Sequence, residues 1–178
     1  MRAPPLVQRA LALAAETGFE RSCAPEDGAL LHVLAGRRGV LRAGEIGTGA
    51  GVGAAWIVSA LPPGTPFVSV ELDANRAAAA ATLFQHDPDV RILAGDWRAA
   101  LPPEAPFDLL FVDAHDAKDD ADAVVGLLSP GGTAVLDDFS YDVGAADARR
   151  DTWLCHPGLA AVELWVTPGR RAILAVRT

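Results

Sequence analysis

Five acidic side chains and a run of glycines carry the chemistry open to this chain. The stretch Gly44-Glu45-Ile46-Gly47-Thr48-Gly49-Ala50-Gly51-Val52-Gly53 ends an apolar segment and opens a helical one. Glycines at 47, 49, 51 and 53 remove the Cβ atoms that would keep a ligand off the backbone, and the N–H groups of the helix start face a polar group. Such a turn suits a nucleotide-like ligand. Residues 49–54, Gly-Ala-Gly-Val-Gly-Ala, also satisfy the loose dinucleotide pattern G-x-G-x-x-A, so a nicotinamide-dependent reductase stands among the readings. Glu71, Asp96, Asp113, Asp137 and Asp138 each follow a short apolar run. Glu71, about 20 residues past the turn, is spaced to accept hydrogen bonds from both hydroxyls of a ribose. Asp96-Trp97 sets a carboxylate for an exocyclic amine beside an indole for a purine face. The competing structural readings are helix caps and solvated acids for the carboxylates, and a core position for Trp97.

Elements that would bring these residues together can be read on either side of the turn. Pro25 opens a helix with Glu26 and Asp27 in its first turn and a Leu30, Leu31, Val33, Leu34 stripe, closed by Gly36 and Gly39. A strand over 40–46 leads into the glycines, and the helix after them runs over 51–61 until Pro62-Pro63-Gly64 stops it. Strands follow at 67–72, 90–94, 107–112 and 133–136. Between them lie an Asp73-capped helix through the alanines of 77–81, a short helix or loop at 97–101, and a helix ending at Leu128. Five strands separated by crossover-length segments predict a parallel sheet with helices on both faces, whose carboxyl ends carry the acids. The last two strands, 162–166 and 171–176, are joined only by Thr167-Pro168-Gly169-Arg170 and must form a hairpin. Residues 140–158 show no clear pattern and are read as a loop and helix near the site.

Composition narrows the partners. At 178 residues the chain is read as one domain, residues 1–178, with 1–24 as an N-terminal helical extension and 25–178 as the core. Residues 5–16 form a small helix that packs on the domain or on a partner, since Arg9 and Glu16 break any targeting signal. A net charge of −8 repels phosphate backbones and anionic lipid, which argues for a small-molecule substrate and against nucleic acid or membrane. Cys23 and Cys155, far apart and without metal-type spacing, are expected as reduced thiols in the cytoplasm.

With these residues assembled, the chain over about 24–178 resembles the class I S-adenosylmethionine-dependent methyltransferases, and within them the small-molecule O-methyltransferases related to catechol and caffeoyl-CoA enzymes. Glu45-Ile46-Gly47-Thr48-Gly49-Ala50-Gly51 resembles the family's first motif, Val70-Glu71-Leu72-Asp73 its acidic ribose motif and Gly95-Asp96-Trp97 its adenine motif. Phe111-Val112-Asp113-Ala114 and Gly131-Gly132-Thr133-Ala134-Val135-Leu136-Asp137-Asp138 are similar to the fourth- and fifth-strand motifs. The resemblance implies a doubly wound, seven-stranded, Rossmann-like α/β methyltransferase sheet with a C-terminal antiparallel hairpin.

It implies S-adenosylmethionine as cofactor, held by Glu45, Gly47, Thr48, Gly49 and Gly51 of the first motif, by Glu71 and Leu72 of the second, and by Asp96 and Trp97, with Asp113 beside the reacting centre. In metal-dependent members Asp113, Asp137 and Asp138 would hold Mg²⁺ or another divalent cation that acidifies the acceptor hydroxyl. Two departures stand out: Asp138 lies where the family has Asn, and Asp116 lies where it has Lys. His115 is then a metal-independent general base, so Asp113 and His115 are the catalytic candidates, with a solvent-facing histidine as the plainer reading. The implied activity is methyl transfer to a hydroxyl of a small, aromatic molecule by a protein that forms homodimers. A nicotinamide-dependent reductase and a non-catalytic cofactor-binding protein are the alternatives.

Overall fold

The computed structural model describes residues 1–140 and 148–178, apart from the side chains of Asp138 and Ser140. Seven strands form one sheet: β1 (Ala43–Ile46), β2 (Phe67–Glu71), β3 (Val90–Ala94), β4 (Phe107–Val112), β5 (Leu128–Ser140), β6 (Leu159–Thr167) and β7 (Arg170–Arg177). Their order is β3-β2-β1-β4-β5-β7-β6. The first five are parallel, with Ile46 level with Val70 on one side and Val112 on the other. β7 runs antiparallel to both β5 and β6, and the two residues Pro168 and Gly169 that join it to β6 make that pair a tight hairpin.

Alternation along β4 shows how the sheet makes two cores. Leu109 and Phe111 pack with Leu31, Trp56, Ile57 and Val135 on one face, while Leu110 and Val112 pack with Ile46, Val70, Leu136 and Trp153 on the other. The helices covering these faces are α1 (Pro5–Glu16), α2 (Pro25–Ala35), α3 (Val52–Val58), α4 (Ala74–Ala81), α5 (Trp97–Ala100), α6 (His115–Lys118), α7 (Ala121–Leu127) and α8 (Ala148–Leu154). Val7 and Ala10 of α1 are fully buried in the same layer as Trp56 and Ile57, so the N-terminal helix packs on the sheet's own cover. Proline opens both α1 and α2 at the position where its missing N–H costs nothing. Among the described residues no helix is long and apolar enough to cross a membrane.

Several element ends differ from expectation. β1 starts at Ala43 rather than residue 40, because the Asp108 carboxylate takes the N–H groups of Leu41 and Arg42 at 2.9 and 3.0 Å. α3 stops at Val58. Ser59 Oγ donates to Ala55 O at 2.6 Å, and the Ala60 and Leu61 amides both fall back on Ile57 O, tightening the last turn. β5 runs from Leu128 to Ser140, far past the expected 133–136, because β4 pairs with one of its edges and β7 with the other across two register shifts. The single helix expected before it is two, α6 and α7, the second capped by Asp120. Of the irregular segment 140–158, α8 covers 148–154, and residues 141–147 lie outside the described part of the chain.

Candidate functional site

Strand order reverses between β1 and β4, and open α/β sheets hold their ligands beyond the carboxyl ends of the strands at such a point. A cavity of about 690 Å³ opens there. Ile46 and Gly47 line it from β1, Val70, Glu71 and Leu72 from β2, Asp96 and Trp97 from beyond β3, Asp113 and His115 from beyond β4, and Asp137 from β5. Of the residues singled out from sequence, Gly47, Gly49, Glu71, Leu72, Asp96, Trp97, Asp113, His115 and Asp137 thus line one cavity.

The glycine turn closes tightly on its surroundings. Gly47 adopts φ +95°, and a Cβ there would stand 2.9 Å from the Asp113 carbonyl oxygen. Gly49 adopts φ +54°, and its Cβ would stand 2.7 Å from the Phe19 ring. Glu71 ties this turn down: its Oε2 accepts the Gly49 N–H at 2.9 Å, while Oε1 accepts the Asp73 N–H at 3.1 Å and lies 3.5 Å from Arg76 Nη1. Carboxylate oxygens each accept more than one hydrogen bond, so both stay competent toward a ligand on the cavity side.

Glu45, Thr48 and Gly51 lie beneath or behind the turn, outside the cavity lining. Thr48 Oγ1 and Ser69 Oγ are 2.5 Å apart, and Ser69 Oγ donates to Glu45 Oε2 at 2.6 Å. This buried chain braces the loop from below. Burial pushes the Glu45 carboxyl up to about 8, against the hydrogen bond from Ser69 and with help from the charges of Asp137 and Glu71. Glu45 therefore carries a proton at neutral pH. Gly51 caps α3, with Leu83 and Ala80 as its neighbours.

At the far end Asp96 caps α5 by accepting the Arg98 N–H at 2.9 Å, and more than half of its side chain is exposed. Trp97 is buried, with its Nε1 donating to Asp116 Oδ2 at 2.9 Å and the Arg98 guanidinium stacked over its ring. Burial pulls the Asp116 carboxyl upward. Hydrogen bonds from Arg98 and Trp97 and the Arg98 charge outweigh that, and hold it below the usual carboxylate range. Asp116 thus fixes the indole instead of standing in for a lysine.

Beyond β4, Asp113 is half-buried, and its N–H donates to Ile46 O at 2.8 Å. His115 is exposed, with Arg149 Nη1 at 3.4 Å from its Nε2. The same guanidinium is paired with Asp119 at 2.6 and 2.9 Å. Asp137 is buried and meets Lys118 Nζ at 2.9 Å. The side chain of Asp138 lies outside the described residues, and among those residues no three His, Cys, Asp or Glu side chains cluster closely enough to hold a metal ion.

Sequence reasoning missed two contributions. Phe19, Glu20, Arg21 and Ser22, between α1 and α2, roof the cavity, and Arg76 stacks on Phe19 while facing Glu71. Lys118 lies five residues past Asp113, on α6, and lines the floor. An aromatic followed by charged residues just before a helix was the only local sign of the roof. For Lys118 the sign was its place one helical turn beyond His115.

Fold and cavity define an open α/β protein with a cavity at its topological switch and an antiparallel pair at one edge of the sheet. Residues 45–139, just over half of the chain, match the model of the methyltransferase domain family, and the chain belongs to that family. The antiparallel β6–β7 pair and this match displace the nicotinamide-reductase reading. A relative from Mycobacteroides abscessus, named as an O-methyltransferase by inference, is 31% identical over 132 residues, covering 69% of this chain and 61% of the relative. The chain thus spans about three-fifths of that relative's length. An O-methyltransferase from Bacillus cereus solved with SAH superimposes with a TM-score of 0.82 at 20% identity, covering 100% of this chain and 93% of the other, a likeness of fold. The O-methyltransferase TomG from Streptomyces achromogenes, involved in tomaymycin synthesis and solved with SAM, gives 0.79 at 25% identity, covering 99% and 91%.

Proposed function

We propose that this protein transfers the methyl group of S-adenosylmethionine to a hydroxyl of a small, aromatic molecule. One observation carries the reading: Glu71, bonded to the Gly49 amide, and the Asp96-Trp97 pair share a single cavity whose glycine turn leaves no room for a Cβ. The residues present fit the cofactor. Gly47 and Gly49 give its amino-acid and ribose parts close backbone approach, Glu71 accepts from the ribose hydroxyls, and Asp96 stands at the adenine end with Trp97 packed in the core behind it. When bound, that cofactor supplies a methyl group already activated for displacement. The protein's own share is to orient the acceptor, remove its proton and keep water out.

Asp113 is the group we assign to the proton. It lines the cavity at the switch point directly after β4 and is half-buried, whereas His115 is exposed. The divalent ion implied by the resemblance at Asp113, Asp137 and Asp138 does not fit the residues described, because Lys118 Nζ already sits 2.9 Å from Asp137 Oδ1. No step is routed through an ion. We read residues 1–178 as one methyltransferase domain, supported by the burial of Val7 and Ala10 beside Trp56 and by the roof that residues 19–22 supply. The free thiols of Cys23 and Cys155 support a cytoplasmic setting, the charge of −8 supports a small-molecule partner over nucleic acid, and pairing into homodimers rests on the resemblance alone.

Titration calorimetry with S-adenosylhomocysteine and with NADH tests the cofactor. Micromolar binding of the first and none of the second is the expected result; tight binding of NADH alone would overturn the proposal. A panel of catechols and other phenols then tests the acceptor class.

A further inference from the structure

The structure assigns to Lys118 the part of a resident cation, an ammonium that takes the place of a divalent metal on the floor of the site and leaves the protein unable to bind one there. Lys118 and Asp137 are both almost wholly buried, at 4% and 2% side-chain exposure, and their Nζ to Oδ1 distance is 2.9 Å. Such a pair cannot be a chance surface contact, since breaking it from either side strands a charge away from water.

The lysine is held in place by its own backbone. Its N–H donates to Ala114 O at 3.2 Å, and its carbonyl accepts the indole N–H of the fully buried Trp153 at 2.8 Å. The last residue of α6 is thereby tied to Trp153 of α8, and its side chain reaches Asp137 on β5. Lys118 and Asp137 both line the cavity with Asp113. Among the described residues the other two N–H bonds of the ammonium have no protein partner.

The charge around it explains why a cation is needed. Asp137, Asp113 and Glu71 line one cavity with Lys118, and the charges of Asp137 and Glu71 reach far enough to add to the upward push on the protonated Glu45 carboxyl beneath it; Arg76 and Arg170 line the same cavity and meet Glu71 and Asp27, and Lys118 is the cation on Asp137. A metal ion bound to Asp137 would have to share its carboxylate with an ammonium a few ångströms away, and the two positive charges would repel in a poorly solvated site. An acceptor oxygen entering beside Lys118 meets the positive charge that an ion would otherwise provide. In the methyl-transfer reading, on which this last step rests, the acceptor O–H gives its proton to Asp113. Its oxygen then bonds to the methyl carbon as the carbon–sulfur bond breaks and its electron pair stays on sulfur, and the ammonium keeps its proton throughout.

The test is a Mn²⁺ titration followed by electron paramagnetic resonance on the full chain, at pH 8 after chelator treatment, comparing wild type with Lys118→Met and Lys118→Arg. Wild type and Lys118→Arg should bind Mn²⁺ no better than millimolar. Lys118→Met, nearly the same shape without the charge, should bind it at least tenfold more tightly, and Asp137→Asn added to it should remove that gain. Micromolar Mn²⁺ on wild type, or equal affinity in wild type and Lys118→Met, would overturn the assignment, and the wild-type arm stands even if a variant fails to fold. Calorimetry with S-adenosylhomocysteine in EDTA separates the two readings: absence of binding sinks the methyl-transfer proposal and leaves the Mn²⁺ result intact.

Discussion

Replacing Glu45 by Gln tests whether the carboxyl beneath the glycine turn carries a proton. It is buried, its Oε2 accepts from Ser69, and its carboxyl is pushed from 4.5 to about 8. A carboxyl with a raised value in the folded state contributes its full stability below the unfolded value. That contribution is lost as pH rises through the window up to the folded value, because the unfolded chain releases the proton first. At about 1.4 kcal/mol per pH unit inside the window, wild type should lose about 3 kcal/mol between about pH 5.5 and 8.5. Gln keeps the shape and one acceptor without a proton to lose, so the variant lacks this slope. For a chain of this length, where about 1 kcal/mol corresponds to about 2–4 °C, the melting temperature of Glu45→Gln relative to wild type should climb by about 6–12 °C across that range. Thermal unfolding followed by circular dichroism at a series of pH values measures it. A gap between the two proteins that stays constant with pH would refute the reasoning, because it would mean that Glu45 is ionised in the folded state.

Other substitutions probe the cavity itself. Glu71→Gln should weaken S-adenosylhomocysteine by about 10–100-fold in calorimetry, the cost of exchanging charge-assisted hydrogen bonds for neutral ones, and a change under threefold would remove Glu71 from the ribose site. Gly47→Ala combines a left-handed backbone with a Cβ 2.9 Å from the Asp113 carbonyl oxygen, and should lower stability by about 2 kcal/mol or more, read as a fall of about 4–8 °C in melting temperature. Asp113→Asn should depress kcat for methyl transfer by about 100-fold or more while leaving S-adenosylhomocysteine affinity within a few fold, and full activity in the variant would dismiss Asp113 as the proton acceptor.

What could be read ahead of the structure was what local chain geometry determines. The glycine turn, the acid after each parallel strand and the short link before the final strand all depend on neighbours a few residues away, so seven strands and their order of appearance were legible. Depth was harder. Glu45 and Thr48 sit in the same motif as Gly47 and Gly49, yet they face the Ser69 hydroxyl below the loop, Glu45 from within β1 and Thr48 from the turn that follows it. Asp116 reads as a substituted lysine along the chain, and only the packing of α5 against α6 reveals that it serves Trp97 and Arg98. Lys118 escaped for the converse reason. A lysine next to an acidic stretch reads as solvated, and its burial on Asp137 follows from Trp153, some 35 residues away, gripping its carbonyl. The strand ends moved wherever a side chain competed for backbone amides, as Asp108 does before β1.

The roof over the turn ties ligand exchange to a stretch of chain that belongs to neither the sheet nor its acidic rim. Phe19 lies on Gly49 and beneath the Arg76 guanidinium, which in turn reaches Glu71, so the end of the cavity proposed for the ribose is lined in part by a segment outside the sheet. Substitution at Phe19 would therefore be felt at Gly49 and Arg76 while the groups contributed by the strand ends stay as they are.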